Sequence, residues 1–533
     1  MKPTTVIVGG VAGGMSTATR LRRNDENREI IVLEASGNVS FANCGLPYYV
    51  GDVITERQDL LLQTPESLKN RFNLDVRANT RATAINRDKK TVTTDSGEEI
   101  SYDSLVLSPG ATPLLPPIEG IERALTLRTV EDVDNIVAHL EGAKSAALIG
   151  GGFIGLELAE NLTHRGLKVT VIERSPQIMA PLDEEMAALV QKYLEDNGVT
   201  VLTNADTTLI GENSLTLADG TTVDADITVA AIGVRPASEL ARDAGLDIGA
   251  RGGIVVDDYQ RTSDPAIFAL GDAAEKRDGV DGSDTLVPLA QTANRHGRLV
   301  ADIISGRDVR RTGTLGTSIV GLFGLSAAAV GWNERKAKAA GLNPRVIHLH
   351  PADHAGYYPG SHQMHLKLVV NADTDAILGA QGVGEGGVDK RIDVIATAMR
   401  GGLTASDLAD LELAYAPQFS SAKDPVNMAG FINDNIVQGE KTVQFHELEQ
   451  YLEDGWELID VREPSEFAAG QIPGARNVPL NDLRDRIEEF KGGKYVVHCQ
   501  VGLRGHTASS LLRNHDIDVA NLDGGYVTWS SVQ

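Results

Sequence analysis

Cysteine is almost missing from this chain: Cys44 and Cys499 are the only two in 533 residues. Neither has a second cysteine close in sequence, so no Cys-x-x-Cys pair and no framework of staples can form. That usage fits a reducing compartment, where thiols are kept for chemistry. Long apolar runs are missing too, and none approaches the roughly 18 residues that a membrane span needs. The opening Met1-Lys-Pro-Thr-Thr-Val-Ile-Val-Gly-Gly runs straight into a strand and a glycine turn, with no place for a leader's apolar stretch, and a cytoplasmic location is expected. Positive charge is in deficit, with 49 Lys and Arg against 74 Asp and Glu and a net charge of −25. Such a surface repels phosphate backbones, which argues against a nucleic-acid partner, and any anionic ligand must be met by local basic clusters. What remains is an ordinary globular composition, 42% hydrophobic and 23% charged. At about 150 residues per domain the length implies three or four units.

The chain repeats one pattern. Strand, glycine turn, helix, strand and acidic residue occur in that order from Thr5 to Glu34 and again from Ala146 to Glu173. In the first copy Val6-Ile-Val reads as a buried parallel strand, Gly9-Gly-Val11-Ala12-Gly13-Gly14 as the turn and Ile30-Ile-Val-Leu-Glu34 as the second strand. In the second, Gly150-Gly-Gly152-Phe153-Ile154-Gly155 completes the G-x-G-x-x-G fingerprint, whereas the first copy has Val11 at the central glycine. Such a turn lets backbone amides approach a pyrophosphate at a helix N-terminus, and the closing Glu34 and Glu173 would accept hydrogen bonds from ribose hydroxyls. Two such units imply two dinucleotides. Further strand-into-glycine signals stand at Ser108-Pro-Gly110, Gly233 and Gly271-Asp272, the last suggesting that the first domain resumes near residue 250.

Each cysteine sits in its own chemical setting. Cys44, in Ser40-Phe-Ala-Asn43-Cys44-Gly-Leu-Pro-Tyr-Tyr, has no local partner and must react with an outside sulfur. With Asn43 as cap it would stand at the start of a short helix, where a thiol's pKa is lowered. Cys499 ends the apolar run Tyr495-Val-Val-His and opens the loop Gln500-Val-Gly-Leu-Arg504. Successive amides in that loop would turn toward one point, a nest for an anion such as a persulfide sulfur.

Residues 1 to 437 resemble the flavin-dependent pyridine-nucleotide disulfide oxidoreductases, and the single cysteine in Ser-Phe-x-Asn-Cys-Gly-Leu-Pro-Tyr resembles their coenzyme A disulfide reductase branch. The stretch Leu458-Ile-Asp460-Val-Arg462 to Asn477, the Cys499 loop and Leu522-Asp-Gly-Gly-Tyr526 resemble the rhodanese family. The fold implied is α/β: two Rossmann-like domains, an α+β dimerisation domain and a C-terminal α/β rhodanese domain. The boundaries expected are 1–115 with 250–316 for FAD, 116–249 for NAD(P)H, 317–437 for dimerisation and 443–533 for the rhodanese fold.

The resemblance implies that Gly9, Val11, Ala12, Gly13, Gly14, Glu34, Ser108, Gly110, Gly271, Asp272, Pro288, Leu289 and Ala290 hold FAD. It assigns Gly150, Gly152, Phe153, Ile154, Gly155, Glu157, Glu173 and Gly233 to the nicotinamide nucleotide. A carboxylate at Glu173 repels a 2′-phosphate and favours NADH, although Arg174 beside it could accept NADPH. Coenzyme A would lie against Ser16, Arg20, Arg23, Ser40, Asn43, Arg71, His296 and Lys423, with Arg22 as another cation at the same helix end. Tyr357 and Tyr415 would come from the second subunit of a homodimer to donate to sulfur, Tyr358 being an alternative to its neighbour. No metal is expected. Cys44, Tyr357, Tyr415, Cys499 and Arg504 form the expected catalytic set, for reduction of coenzyme A persulfide, polysulfide or coenzyme A disulfide with NADH and sulfane-sulfur transfer through Cys499. The six-residue loop suits sulfur, whereas a phosphatase loop is longer. An NADH oxidase or peroxidase cycling Cys44 through a sulfenic acid, or a persulfide sensor, are the rival readings.

Overall fold

The structure, a computed structural model, describes residues 2–309 and 313–533. Its first sheet grows around the strand Thr4–Val8, whose Val6 and Ile7 are fully buried, as a parallel strand covered on both faces requires. The strands Glu29–Leu33 and Asp75–Arg77 extend it on one side, and Ser104–Leu107 and Ile267–Ala269 on the other, all parallel. The second sheet repeats the plan with Thr200–Leu202, Lys168–Ile172, Ser145–Ile149 and Ile227–Ala230.

In both copies the helix starts earlier than the sequence pattern suggested. It spans Ala12–Asn24 in the first and Phe153–His164 in the second, so Gly13, Gly14 and Gly155 lie inside helices and the turns are only Gly9 to Val11 and Gly150 to Gly152. The later glycines serve packing: a methyl at Gly14 would collide with the Gly9 carbonyl, and one at Gly155 with that of Gly150. Helix and strand therefore approach closely only because these residues carry no side chain.

The chain forms two compact units, Met1–Ile178 with Asn197–Gly316, and Met179–Asp196 with Thr317–Gln533. The helix Glu184–Asp196, expected to belong with the second nucleotide domain, thus packs in the second unit. That unit holds an antiparallel sheet in the order Ser318–Leu322, Leu325–Gly331, Ile377–Gly384, Met364–Asn371, Pro344–Leu349. It also holds a parallel sheet in the order Thr442–Val443, Asp518–Leu522, Lys494–His498, Glu457–Asp460, Arg476–Asn477. Two bonds tie the segment between these sheets: Gln444 Nε2 donates to Val346 O at 3.2 Å, and His506 Nδ1 lies 2.8 Å from Glu440 Oε2. No helix among the described residues is long and apolar enough to cross a membrane.

Candidate active sites

The two glycine turns are built alike. Glu34 Oε2 accepts from Gly10 N at 2.7 Å and its Oε1 from Ser36 N at 2.9 Å; Glu173 Oε2 accepts from Gly151 N and its Oε1 from Ser175 N, both at 2.8 Å. Each carboxylate is thereby fixed beside its turn, where a ribose would sit. Neither helix start carries a side-chain cap, which leaves the first amides for a phosphate. These donor sets fit an adenine dinucleotide in each half. Ser108 follows the Ser104–Leu107 strand and Gly110 has φ +76°, while Gly233 has φ +115° just after Ile227–Ala230. Pro288 and Leu289 lead into the helix Ala290–Ile304. The Gly271–Asp272 turn rests on Lys276, a lysine no motif pointed to: its Nζ donates to Gly271 O at 2.6 Å and Ala274 O at 2.9 Å. Burial pushes that ammonium down to about 8. Asp272 is ion-paired with Arg128.

Cys44 is exposed, in the 3-10 turn Asn43–Gly45 that precedes the helix Leu46–Val50. The expected capping role of Asn43 is not realised. Asn43 lies inside the turn and its Nδ2 donates to Arg128 O at 2.9 Å, so it anchors the cysteine turn to the segment that carries Arg128. Nor is the thiol's pKa lowered: desolvation and the carboxylate of Glu157 raise it, outweighing the Arg128 cation, and Asp272 adds to the rise. Glu157 is bonded by Tyr48 and pushed up to about 7 by burial, while the Tyr48 phenol is pushed up to about 12 by burial and Glu157. Tyr48, Glu157 and Arg128 therefore form an electrostatic setting around Cys44 that the sequence motifs did not reveal. The nearest signal was Glu157 following Gly155 by two residues, which had suggested nucleotide binding alone.

Of the expected substrate contacts, Ser40 holds a left-handed φ of +48° and its N donates to Gly10 O at 2.8 Å, tying the cysteine segment to the first glycine turn. Ser16 bonds Asn294. Arg20 is engaged by Asp302, with Nε 2.8 Å from Oδ1. Arg22 is structural: it is buried and donates to the carbonyls of Asp25, Glu26, Phe72 and Asn73. Arg23, Arg71 and Lys423 are exposed, and His296 is buried within Ala290–Ile304. In the second unit Tyr357 Oη lies 3.1 Å from Tyr415 Oη, and both phenols are exposed. Tyr358 instead packs its ring edge against His354.

Cys499 is fully buried at the end of Lys494–His498. The helix after it spans Leu503–Arg513, so Arg504, read from the sequence as part of the loop, stands in its first turn and the loop proper ends at Gly502. Arg504 makes two 2.6 Å bonds to Glu466, and its guanidinium is held further in its charged form by Cys499. Buried Arg462 joins Asp460, Gln500 Oε1 at 3.0 Å and Gly470 O at 2.7 Å, with its guanidinium 4.3 Å above the Tyr526 ring. Asp460 and Arg462 were visible as motif letters, but their partners were not. No group of three or more His, Cys, Asp or Glu side chains among the described residues could hold a metal ion.

This combination of paired dinucleotide folds and a cysteine after the first defines a class, and the family comparison agrees with it. The pyridine nucleotide-disulphide oxidoreductase model matches residues 3–297, that family's dimerisation domain matches 317–425 and a rhodanese-like domain matches 444–532. The chain belongs to the pyridine nucleotide-disulphide oxidoreductase family and carries a rhodanese-like domain. The family implies FAD and NAD(P)H as cofactors, and its dimerisation domain implies a homodimer.

Among relatives, the coenzyme A disulfide reductase of Staphylococcus haemolyticus is 35% identical over 434 residues, 80% of this chain and 98% of that protein. The reduced Bacillus anthracis CoADR-RHD structure superposes with a TM-score of 0.98 at 47% identity, covering 100% of this chain and 98% of that one. The NAD-dependent persulfide reductase from A. fulgidus gives 0.93 at 38%, covering 99% and 100%. A water-forming NADH oxidase from Lactobacillus brevis gives 0.78 at 26% and covers 82% of this chain.

Proposed function

We propose that the chain reduces coenzyme A persulfide or coenzyme A disulfide with NADH at Cys44, and that Cys499 supplies sulfane sulfur to that reaction. The observation that carries the reading is the division of two lone cysteines between two settings, one exposed beside the flavin-site residues and one buried against an arginine. Two relatives that match at least 99% of this chain bear the names CoADR-RHD and persulfide reductase. The oxidase reading leaves Cys499 without a task.

In the loading step the Cys499 thiolate attacks the outer sulfur of a donor such as thiosulfate. The donor's S–S bond breaks, sulfite leaves with the electron pair and Cys499 becomes a persulfide anion. Arg504 lies on that anion. Coenzyme A thiolate then takes the outer sulfur and restores Cys499. At the other site the Cys44 thiolate attacks the coenzyme A-bound sulfur of the persulfide, and hydrosulfide leaves as a Cys44–coenzyme A disulfide forms. Tyr357, polarised by Tyr415 and contributed by the second subunit, gives the leaving sulfur a proton. Bound FAD supplies the two-electron relay from NADH that opens the mixed disulfide. In sum, persulfide, NADH and one proton give thiol, hydrogen sulfide and NAD+. Glu173 favours NADH, and its neighbour Arg174 is already paired with Asp206 at 3.2 Å.

The test is Cys499→Ser. It is expected to reduce preformed coenzyme A persulfide at the wild-type rate but to lose NADH consumption driven by thiosulfate plus catalytic coenzyme A. Full activity in the second assay would reject the coupling.

A further inference from the structure

The Cys499 loop is gripped from outside by the turn that follows Asp518–Leu522. Tyr526 N donates to Cys499 O at 2.8 Å and Val527 N to Gln500 O at 3.0 Å. In a trans peptide the carbonyl and the following N–H point in opposite directions, so fixing these two carbonyls also fixes the Gln500 and Val501 amides on the opposite side of the chain. That is the side on which a nest for sulfur needs them. Gly525 makes the grip possible: φ is +65°, and a methyl there would stand 2.6 Å from Cys499 O.

This turn begins at Asp523, and Asp523 is held by the neighbouring antiparallel sheet. His348, on its edge strand Pro344–Leu349, donates from its backbone N to Asp523 Oδ2 at 2.9 Å, and its Nδ1 lies 2.7 Å from the same oxygen. His348 Nε2 lies 2.9 Å from Glu185 Oε1, which also takes Lys367 Nζ at 2.6 Å. Asp183 and Glu334 complete the shell around Lys367, at 2.9 and 2.7 Å. The imidazole is 3% exposed as a residue, and no element of the flavin reaction uses it. Two further contacts run in parallel: Gln444 Nε2 to Asp523 Oδ2 at 3.1 Å, and His350 Nε2 to Thr528 Oγ1 at 2.8 Å.

We propose that His348 is a positioning residue for the sulfur-carrying loop, acting through Asp523 and the Gly524–Gly525 turn. The proposal rests on the reading of Cys499 as a sulfur carrier. By it, the antiparallel sheet does more than seat the C-terminal domain: it sets the loop geometry, and the C-terminal domain separated from that sheet is a poorer sulfur acceptor.

Full-length flavoprotein variants His348→Asn and His348→Gln decide the matter. An Asn amide stands where Nδ1 stands and keeps the bond to Asp523, whereas a Gln amide reaches only toward the Nε2 partner Glu185. With thiosulfate as probe, the rate at which Cys499 gains one sulfur is followed by intact mass, together with NADH-dependent reduction of coenzyme A disulfide. The expected result is near-wild-type loading in His348→Asn and a loss of about tenfold to a hundredfold at saturating thiosulfate in His348→Gln. KM for the donor and the disulfide reductase rate should be unchanged in both. Equal loading in wild type and both variants overturns the proposal, as does equal loss accompanied by loss of reductase activity, which marks a purely structural role. If neither variant folds, Gln444→Ala decides: slower loading with normal reductase activity supports the proposal, and unchanged loading overturns it. A wild-type protein that reduces coenzyme A disulfide but never gains sulfur at Cys499 refutes the carrier reading itself, and this proposal with it.

Discussion

Glu157 sets the behaviour of Cys44 more than any other single side chain. Held up to about 7, it is neutral below that pH and anionic above it, and as an anion it raises the thiol's pKa. Replacing it by Gln removes a negative neighbour, so the thiol should ionise at a lower pH. Iodoacetamide modification of Cys44 against pH, in a Cys499→Ser background, is expected to show the Glu157→Gln curve displaced downward; an upward displacement would contradict the assignment. Glu173 carries a second prediction. In Glu173→Ala the ratio of kcat/KM for NADPH over NADH should rise by about tenfold, the scale of one charge-assisted bond. An unchanged ratio would leave selection to other groups. At this scale the sequence showed Cys44, Glu34 and Glu173 plainly, because their chemistry is tied to a local motif. Arg128 and Tyr48 were invisible because they act across long sequence separations: Arg128 meets Asp272 144 residues away. Lys276 was missed although its carbonyl partners are near in sequence, because no motif calls for a lysine under that turn. Asn43 was misread for the opposite reason, since a local capping rule lost to a bond with the Arg128 carbonyl.

Elements explain how the loop at Cys499 keeps its shape. The helix Leu503–Arg513 presents Arg504 from its first turn, and Glu466 on the helix Pro464–Ala469 grips it with two bonds. The arginine holds the Glu466 carboxyl down at about 2, below its unfolded value of about 4.3. The clamp is therefore complete above the unfolded value and is lost as pH falls through about 2. Glu466→Gln should slow sulfur loading of Cys499 severalfold across neutral pH and leave reduction at Cys44 unaffected; loading at the wild-type rate would show that Arg504 needs no partner. The strands of both Rossmann-like sheets were legible as apolar runs. Helix starts were not, because Gly13, Gly14 and Gly155 read as turn residues while their lack of a side chain is used for helix packing.

For the whole molecule, the buried bridge at His348 predicts a pH dependence of stability. The imidazole faces Asp523 and Glu185 as acceptors, with Lys367 opposing it and His350 nearby. The two carboxylates overcome its burial and lift it to about 9, above its unfolded value of about 6.5. Its stabilisation is thus fully present below the unfolded value and is lost as pH rises through about 9. Thermal unfolding followed from about pH 7 to 10 should fall more steeply for the wild type than for His348→Asn; parallel slopes would assign the decline to other groups. None of this was visible in the sequence, where His348 is one polar residue in an edge strand and its partners lie 163 and 175 residues away.

The unequal shelter of the two cysteines has a consequence for damage. An electrophile or peroxide in the surrounding solution meets the thiol of Cys44 and not that of Cys499, which no solvent reaches. Chemical injury therefore strikes Cys44 first. On the proposed cycle a molecule injured there would still pass sulfur from Cys499 to coenzyme A, and the persulfide so formed would go unreduced.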